Sequence, residues 1–433
     1  MICSLRIQNF KSIKEIKKDG IEIRPLTIIT GPNSSGKSNI LEAIAFLSQV
    51  PRHPKDYTTN VESIVHHGFY VNYPDVGFVA FRRDEKAPIR IGLDFPLYLE
   101  DQKKIGVKSE KIGYELTYTP STKETEQTIK LDGRVLIKTG WLRTESGYRS
   151  IFLSPPILTK QRPYQSTDQV LSHEIFIPSS AELKTAERLE IGETLRTARS
   201  CVDTILQRLG RAFFISTLRG VVPTTGKAQG SPKWVGKQGE DLLSLLSFIF
   251  SRREHFQTAE RIRHWASRFG LKSMQGGWWG NDLIGVDFED PILKQTFQLS
   301  SASYGTRQVL AIITQVLWSK RGDTIMLEEP EISLHPEAQV VLQELFAEVI
   351  KEGKQIICST HSPFLVLALS RVIKKKLLNL NEVAVYHVEK DEEGTRIKHL
   401  ELNKHGFVVS GVPSFVKVEK ELFQEWSESL EGE

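Results

Sequence analysis

Short apolar runs alternate with helical repeats near both ends of the chain. The runs 26–30, 324–327 and 355–359 have the length of buried parallel strands. Each precedes a stretch with apolar residues at helical spacing, such as Ile40, Leu41, Ile44 and Leu47 after the first. The stretches 336–351 and from 363 onward follow the other two. This repeated order of strand and helix predicts an α/β fold with a parallel or mixed sheet.

The middle of the chain has a different pattern. Strand-like runs recur at 78–81, 89–93, 114–118 and 135–137, with turn residues such as Asp132-Gly133 between them. They predict an antiparallel β-lobe. Residues 181–270 read as helical and carry 15 Lys and Arg against 9 Asp and Glu. We therefore divide the chain into a core segment (1–76), the β-lobe (77–153), an inserted, mainly helical basic region (154–294) and a second core segment (295–433).

The composition of the chain indicates the cellular compartment. The chain has 433 residues, 39% of them hydrophobic and 25% charged, with a net charge of +4, which is ordinary for globular proteins. The apolar stretch 242–250 is too short to span a bilayer, and we expect no export leader and no membrane contact. Three isolated cysteines, Cys3, Cys201 and Cys358, are typical of reduced thiols. We expect a cytoplasmic protein.

Residues 31–38 form a candidate phosphate loop. They read GPNSSGKS and match G-x-x-x-x-G-K-[ST] between a predicted strand and a predicted helix. Glycines let backbone N–H groups turn toward a phosphate, the lysine supplies a cation and the serine hydroxyl can bind Mg²⁺. The alternative is a chance turn between strand and helix. The predicted nucleotide-binding residues here are Gly31, Asn33, Ser34, Ser35, Gly36, Lys37, Ser38 and Asn39.

Two adjacent carboxylates, Glu328 and Glu329, follow the apolar run 324–327. The carboxyl ends of strands are where α/β sheets place ligands. Because side chains alternate along a strand, one carboxylate can serve the Mg²⁺ shell while the other orients a water. The alternative is a solvated acidic turn. Burial of the preceding residues favours the magnesium and water roles.

Two further positions belong with these carboxylates. His361 follows the run 355–359, so we expect it at the tip of a strand next to the one that ends at Glu328. Ser303 is a predicted N-cap for a helix with Val309, Leu310 and Ile313 on its apolar face. A helix N-terminus with a serine hydroxyl is a potential anion site.

The order of these motifs resembles an ABC-type ATPase, and specifically the OLD-like branch, akin to the RecF and SMC ATPases. The resemblance rests on the phosphate loop, the helix start at 303–308, Glu328-Glu329-Pro330 and the segment 359–363. The opening stretch 5–13 and the middle stretches 215–220 and 235–240 are also similar to this branch. The resemblance is good over roughly residues 1–50 and 295–400 and looser in the middle of the chain.

The resemblance implies ATP and Mg²⁺ as ligands and gives each residue a role. Lys37 and Ser38 would bind triphosphate and Mg²⁺, with Glu328 as the metal-side acid. Glu329 would position the attacking water and His361 would sense the γ-phosphate. Ser303 and Gly305 would contact the γ-phosphate bound to a second protomer. It therefore implies a homodimer that closes across two ATP sites, with Lys37, Glu329 and His361 as the catalytic residues.

Three positions depart from the usual ABC pattern. Glu328 replaces the more common Asp, and Tyr304 stands where the signature usually has its first glycine. No glutamine occupies a clear Q-loop position, since Gln49 lies too early, at the end of the first helix. These departures concern the partner contact and metal coordination.

The inserted region supplies a candidate surface for partners. Arg188, Arg196 and Arg199 have helical spacing, and Arg252, Arg253, Arg261 and Arg263 form a second group. Such residues suit nucleic-acid phosphates, although a solvated face or a dimer surface would carry them too. Residues 276–280, GGWWG, are interpreted as a packed loop or a partner surface.

The leading functional hypothesis is an ATP-hydrolysing switch that acts on DNA or with a separate effector or nuclease protein, in genome maintenance or anti-phage defence. We expect no Toprim nuclease after His361. A slowly hydrolysing scaffold and an energising subunit of a transporter are the alternatives.

Overall fold

The structure is a computed structural model that describes residues 1–16, 20–52, 61–144, 147–154, 192–220, 222–223, 225–227, 232–280 and 283–431. It contains two compact units. Unit 1 comprises Met1–Ile23, Ser38–Ala212 and Glu389–Arg396, and unit 2 comprises Arg24–Lys37, Phe213–Val388 and Ile397–Glu433. The division into 1–76, 77–153, 154–294 and 295–433 remains a prediction about domains.

The strands of the described residues are β1 (Ser4–Phe10), β2 (Ile13–Glu15), β3 (Ile21–Glu22), β4 (Leu26–Thr30), β5 (Ile89–Pro96), β6 (Lys111–Thr119), β7 (Glu124–Leu131), β8 (Arg134–Thr144), β9 (Gly147–Ser154), β10 (Ala212–Ile215), β11 (Gly226–Lys227), β12 (Lys272–Gly280), β13 (Leu283–Glu289), β14 (Thr296–Gln298), β15 (Thr324–Glu328), β16 (Gln355–Thr360), β17 (Val383–Asp391) and β18 (Gly394–Leu400). The helices are α1 (Lys37–Ser48), α2 (Val61–His67), α3 (Leu99–Ile105), α4 (Gly192–Leu209), α5 (Leu242–Phe250), α6 (Phe256–Ser267), α7 (Tyr304–Trp318), α8 (Pro336–Lys351), α9 (Pro363–Leu367), α10 (Leu369–Lys374) and α11 (Pro413–Glu431).

The largest sheet is antiparallel and belongs to unit 1. Its order is β2-β1-β5-β6-β7-β8-β9, with β3 paired to β1. Asp132 and Gly133 have φ of 48° and 80°, so they make the two-residue hairpin turn that pairs Leu131 with Arg134. The predicted lobe is therefore an antiparallel sheet, but it also includes the strand that opens the chain.

One predicted strand of the lobe is wrong. Phe78 and Phe81 belong to two short 3-10 turns, Val76–Phe78 and Phe81–Arg83, and between them Ala80 makes an isolated bridge to Phe10 rather than a strand. The Asp75 carboxylate accepts the Gly77 N–H at 2.5 Å. This local hydrogen bond holds the backbone in a turn and competes with strand pairing.

The six-stranded sheet has the order β10-β15-β16-β4-β17-β18. Its inner strands β15, β16, β4 and β17 run parallel. Every residue of β4 and β16 is buried, as expected for strands covered on both faces. The register pairs Glu328 with Ser359 and Thr360 with Thr30, so the carboxyl ends of β15, β16 and β4 lie side by side.

Helices of unit 2 bury their apolar faces around this sheet. In α7 the predicted apolar positions Val309, Leu310 and Ile313 are all buried, and so are Val316 and Leu317 one turn further on. Helix α8 begins at Pro336, as predicted, and Gly353 follows its end with φ 81°. These agreements show that helical spacing and end signals were sufficient to locate both helices.

The inserted region carries the expected helices α4, α5 and α6, and also a second antiparallel sheet. That sheet has the order β11-β13-β12, with β14 on β13. The interpretation of 276–280 as a loop is wrong, because this stretch lies in β12 and pairs Gly277 with Gly285. An added Cβ on Gly276 would lie 3.0 Å from the Phe250 ring, so glycine here permits close packing on α5.

Candidate nucleotide-binding site

The phosphate loop connects β4 to α1, as predicted. Gly36 has φ 105°, which a residue with a side chain rarely adopts. A Cβ on Gly31 would lie 2.1 Å from the Val388 carbonyl oxygen. Asn33, Ser34 and Ser38 are exposed around the loop, whereas Ser35 is buried. Gly36 is thus needed for its backbone conformation, and Gly31 is needed because the Val388 carbonyl lies so close.

Lys37 lies buried at the start of α1. Its Nζ donates to the carbonyl oxygens of Gly31 at 3.0 Å and Pro32 at 2.7 Å. Burial lowers the pKa of Lys37 to about 8, although the carboxylates of Glu329 and Glu331 oppose this shift. The ammonium is therefore held inside the loop by neutral acceptors that a phosphate could replace.

The remaining loop residues continue into the first turn of α1. Ser38 is exposed and Asn39 is half-buried. The Asn39 amide donates to the Ser12 hydroxyl at 2.6 Å. The predicted nucleotide role of Asn39 would have to be compatible with this contact.

The two carboxylates lie where β15 ends. Glu328 is its last residue, and Glu329 follows with φ 43°. The Glu329 N–H donates to the Ser359 carbonyl at 2.9 Å. The His361 Nε2 lies 3.5 Å from Glu329 Oε1. His361, with further help from Lys37 and Arg219, lowers the pKa of Glu329 against the effect of burial. The prediction that His361 sits on the neighbouring strand is confirmed by the pairing of β15 with β16.

A third carboxyl group, Glu331, was not predicted. Its Oε1 accepts from the Thr360 hydroxyl at 2.6 Å and from the His361 N–H at 2.8 Å. Its Oε2 is buried and has no hydrogen-bond partner among the described residues. Burial raises the pKa of Glu331. The sequence signal was only its place after Pro330, because its burial depends on β16.

Arg219 is the second residue that sequence reasoning missed. It is the largest fully buried side chain of the described residues, at 0% exposure. Its guanidinium donates to the carbonyl oxygens of Ser216 at 2.8 Å, Glu328 at 2.7 Å and Glu329 at 2.7 Å. Burial lowers its pKa to about 10, against the opposing effect of three glutamates and Tyr304. Its segment, 215–220, had been noted only for its family resemblance.

The start of α7 is built as predicted. Ser303 is the N-cap, and its hydroxyl accepts from the Thr306 N–H at 3.2 Å. Gly305 is buried, and an added Cβ would lie 2.2 Å from the Ser333 carbonyl oxygen. Tyr304 between them is 41% exposed. Gly305 therefore brings the start of α7 against the turn that follows the carboxylates.

These residues fit a magnesium-bound triphosphate. The Lys37 ammonium is held by backbone oxygens that a phosphate could replace, and the Glu328 carboxylate offers oxygen atoms of the kind that Mg²⁺ prefers. Glu329 and Glu331 have opposite pKa shifts within three residues. Such divergence is typical of sites that handle protons or charged ligands.

Other predicted residues have structural partners. Gln49 is buried, with its amide bonded to the backbone of Ile64, Tyr70 and Val71, so it anchors a turn. Among the basic residues, Arg252, Arg261 and Arg263 form ion pairs with glutamates. Arg196 and Arg199 are exposed on α4. Arg188 lies outside the described residues.

The fold and site define a nucleotide-binding α/β domain with a phosphate loop. The chain belongs to the AAA ATPase domain family. The model of that family matches residues 1–139 and 244–366, which are more than half of the chain. The fold is similar to that of the SMC head in the crystal structure of the SmcHead bound to the C-winged helix domain of ScpA. The TM-score is 0.50 at 14% identity, over 93% of this chain and 98% of that one. The prediction of an OLD-like, ABC-type ATPase is confirmed.

Two curated relatives are similar to parts of the chain. The OLD nuclease of Thermus scotoductus (strain ATCC 700910 / SA-01) is 23% identical over 381 residues, which are 84% of this chain and 59% of that protein. The ATP/GTP phosphatase of Helicobacter pylori (strain ATCC 700392 / 26695) is 50% identical over 64 residues, 15% of this chain and 16% of that protein. The chain thus spans less than two thirds of either relative.

The helices that the structure describes include none with the length and apolar character needed to cross a membrane.

Proposed function

We propose that this chain binds ATP with Mg²⁺ and hydrolyses it to ADP and phosphate. The observation that carries the proposal is the meeting of Lys37, Glu329 and His361 in unit 2, where the carboxyl ends of β4, β15 and β16 adjoin. Electrostatic coupling of Lys37 with Glu329 appears in the pKa of both groups. The AAA ATPase domain match supports the same chemistry.

Each residue has a task that follows from its environment. Lys37 exchanges its backbone acceptors for phosphate oxygens, and the N–H groups of the loop from Gly31 to Lys37 complete the cradle. Glu328 serves the metal side. Glu329, whose pKa is lowered, remains ionised and orients the water that attacks the γ-phosphate. His361, held by the Glu331 carboxyl through its N–H, stands beside Glu329 to report on the γ-phosphate.

The first experiment measures binding and turnover separately. Calorimetry with Mg²⁺ and ATP should show one site per chain in the wild type and a loss of binding in Lys37→Ala. Lys320→Ala is the matched control, because Lys320 is exposed and belongs to no part of the site. A wild-type protein that ignores adenine nucleotides would contradict the proposal.

We further propose that ATP closes a homodimer, with Ser303 and Gly305 of one protomer completing the site of the other. Support comes from the cap geometry, in which Ser303 stands at the N-terminus of α7, where a helix favours an anion. Gly305 packs on Ser333 and keeps that N-terminus beside the acidic turn. The resemblance to ABC-type ATPases supplies the partner arrangement.

A mixed-dimer experiment tests this arrangement. Lys37→Ala and Ser303→Arg chains should each be inactive alone. After equal mixing, about half of the dimers are mixed and each has one intact site, so roughly a quarter of wild-type turnover should return. A Lys37→Ala chain mixed with a Lys37→Ala, Ser303→Arg chain is the control and should recover nothing. If the first mixture also recovers nothing, Ser303 does not act on a partner.

The biological target is proposed more broadly. We infer that nucleotide binding drives an action on DNA, or on a separate effector or nuclease protein, in genome maintenance or anti-phage defence. The likeness to the OLD nuclease supports this inference, as do Arg196 and Arg199, which are exposed on α4. The three unpaired cysteines support a reducing, cytoplasmic setting.

ATPase rates with and without duplex or single-stranded DNA, at 50 and 200 mM salt, test the DNA arm. Stimulation that fades at the higher salt indicates contact with phosphates. Arg196→Ala with Arg199→Ala should weaken it. Turnover that ignores DNA under both conditions favours the second candidate, a slowly hydrolysing scaffold for an effector, which the exposed Tyr304 at a usual glycine position also favours.

A further inference from the structure

A buried cation, Arg219, binds the backbone of the acidic turn that follows β15. Arg219 donates to the carbonyl oxygens of both Glu328 and Glu329, each at 2.7 Å. A third bond, to the Ser216 carbonyl at 2.8 Å, closes the guanidinium onto its own segment. None of these bonds uses a carboxylate oxygen. Arg219 therefore fixes the backbone of Glu328 and Glu329 without binding either carboxylate.

That backbone needs fixing. Glu329 has φ 43°, a left-handed conformation that residues with a side chain seldom adopt. It persists where surrounding contacts over-determine it. Here three hydrogen bonds hold the residue: the Ser359 carbonyl accepts the Glu329 N–H, and the Glu329 carbonyl accepts from Arg219 and from the Ile332 N–H. The direction of the Glu329 carboxylate, 3.5 Å from His361, follows from this backbone conformation.

The segment that carries Arg219 lies flush against α7. Gly220 has φ 93°, and an added Cβ would lie 2.8 Å from Gln308 Cγ and 3.0 Å from its backbone nitrogen. Gln308 is buried on α7, about one and a half turns from the Ser303 cap. A displacement of α7 at Gln308 would therefore meet the backbone of Gly220, which has no side chain of its own to absorb it.

We propose that Arg219 is a positioning residue for hydrolysis: it sets the orientation of the Glu329 carboxylate through its backbone carbonyl, and Gly220 couples this setting to α7. The inference rests on the proposed ATPase function and deepens it. Engagement of the α7 N-terminus by a partner's nucleotide would then be transmitted along α7 to Gly220 and Arg219, and so to the water-orienting group.

The choice of arginine follows from geometry. A guanidinium presents several N–H donors in a rigid planar fork, so one side chain can hold three carbonyls at fixed angles. A lysine has one ammonium on a flexible stem and cannot reproduce this arrangement. Arg219→Lys therefore keeps the charge among Glu328, Glu329 and Glu331 but removes the fork.

Arg219→Lys is the main test. We expect ATP affinity within about threefold of wild type, since no phosphate contact is lost, and kcat reduced at least about tenfold. The decisive readout is a double-mutant cycle with Glu329→Gln. If Arg219 acts through Glu329, adding Arg219→Lys to Glu329→Gln should cost no further turnover. An equal fractional loss in both backgrounds would show a merely structural role and overturn the inference.

A glycine pair tests the coupling to α7 and remains informative if Arg219→Lys folds poorly. Gly220→Ala and Gly270→Ala place a side chain at similar φ, 93° and 89°, but only Gly220 has Gln308 against it, whereas Gly270 faces open space. Both should lose similar backbone stability, and only Gly220→Ala should lose turnover, by about fivefold or more at unchanged ATP affinity. Equal turnover in the two variants would refute the coupling. A wild type without ATPase activity would instead refute the proposed function itself.

Discussion

The antiparallel sheet of unit 1 holds half-buried charges and the mainly parallel sheet of unit 2 holds buried ones, and the two sheets pair their charges differently. In unit 1, Arg6 binds Asp94 through two bonds, at 2.5 and 2.7 Å, and also lies 3.4 Å from Glu115. Glu115 in turn binds Lys130 at 3.1 Å. Each cation of this network has a carboxylate partner, and each carboxylate a cation.

At the carboxyl edge of the sheet in unit 2, the cations bind backbone oxygens instead. Lys37 and Arg219 both donate to carbonyls, and burial lowers the pKa of each. Glu331 is buried with its pKa raised. The charges of the Arg6 network satisfy one another, which is typical of structural networks, whereas Lys37, Arg219 and Glu331 at this edge do not pair in this way. A site is recognised by this incomplete pairing rather than by the number of charges.

The largest expected effect is a loss of turnover that distinguishes Glu329 of unit 2 from Glu115 of unit 1. Glu329→Gln should keep ATP affinity within about threefold and lower kcat by about a hundredfold or more, because the amide cannot act as an ionised base for the attacking water. Glu115→Gln removes a carboxylate of unit 1 and should leave kcat within about twofold. Steady-state turnover with calorimetric ATP affinity checks both. Undiminished hydrolysis in Glu329→Gln would remove its water-positioning role.

The second effect comes from the lowered pKa of Lys37. Binding needs the protonated ammonium, and the pKa in the free protein is about 8, so ATP affinity should fall roughly tenfold between pH 7 and pH 9. Lys37→Arg is the control: its guanidinium stays charged, so its affinity, even if weaker, should stay level over this range. If the ATP affinity of the wild type does not change between pH 7 and pH 9, the Lys37 ammonium does not contact ATP.

The stability of the free protein should change with pH in the opposite direction to its ATP affinity. The folded-state pKa of Lys37 is lowered from 10.5 to about 8, so the unfolded chain binds more protons between these values. The contribution of this group to stability should therefore rise as the pH is raised from 8 toward 10.5 and be lost as it falls through 8. The free energies of unfolding of wild type and Lys37→Met, compared over this range by denaturant titration, check the sign.

A smaller effect concerns packing beside the site. Gly305→Ala should lower the free energy of unfolding by about 1–3 kcal/mol, because its Cβ would meet the Ser333 carbonyl at 2.2 Å. Gly277→Ala in β12 is the matched control, since no atom of the described residues lies within 4 Å of the added Cβ, and it should be neutral. Denaturant titrations measure both. A neutral Gly305→Ala would mean that α7 can shift away from the acidic turn.

The smallest expected effect is confined to unit 1. Asp94→Asn weakens the two-bond pair with Arg6 and should cost about 1–2 kcal/mol of stability without changing turnover. Lys14→Ala breaks an exposed pair with Glu393 and should change neither measurably. A loss of turnover in Asp94→Asn would contradict the distinction between structural and ligand-directed charges.

Much of the site could be predicted because its motifs are local. The loop 31–38, the cap at Ser303, the start of α8 at Pro336 and the position of His361 next to β15 all depend on residues adjacent in sequence or on strand length. Two misreadings, 78–81 and 276–280, arose where a turn was capped by Asp75 or where glycines packed on Phe250. Neither partner is visible from periodicity.

The amino-acid order by itself determined the phosphate loop, the order of strands and helices in the core, and the place of Glu329 after a buried strand. Only the tertiary structure decided that Arg219, more than a hundred residues earlier, binds the carbonyls of Glu328 and Glu329, and that Glu331 is buried against Thr360. The physical reason is that hydrogen bonds to backbone carbonyls and desolvation depend on three-dimensional proximity, and neither has a signature in the spacing of residue types.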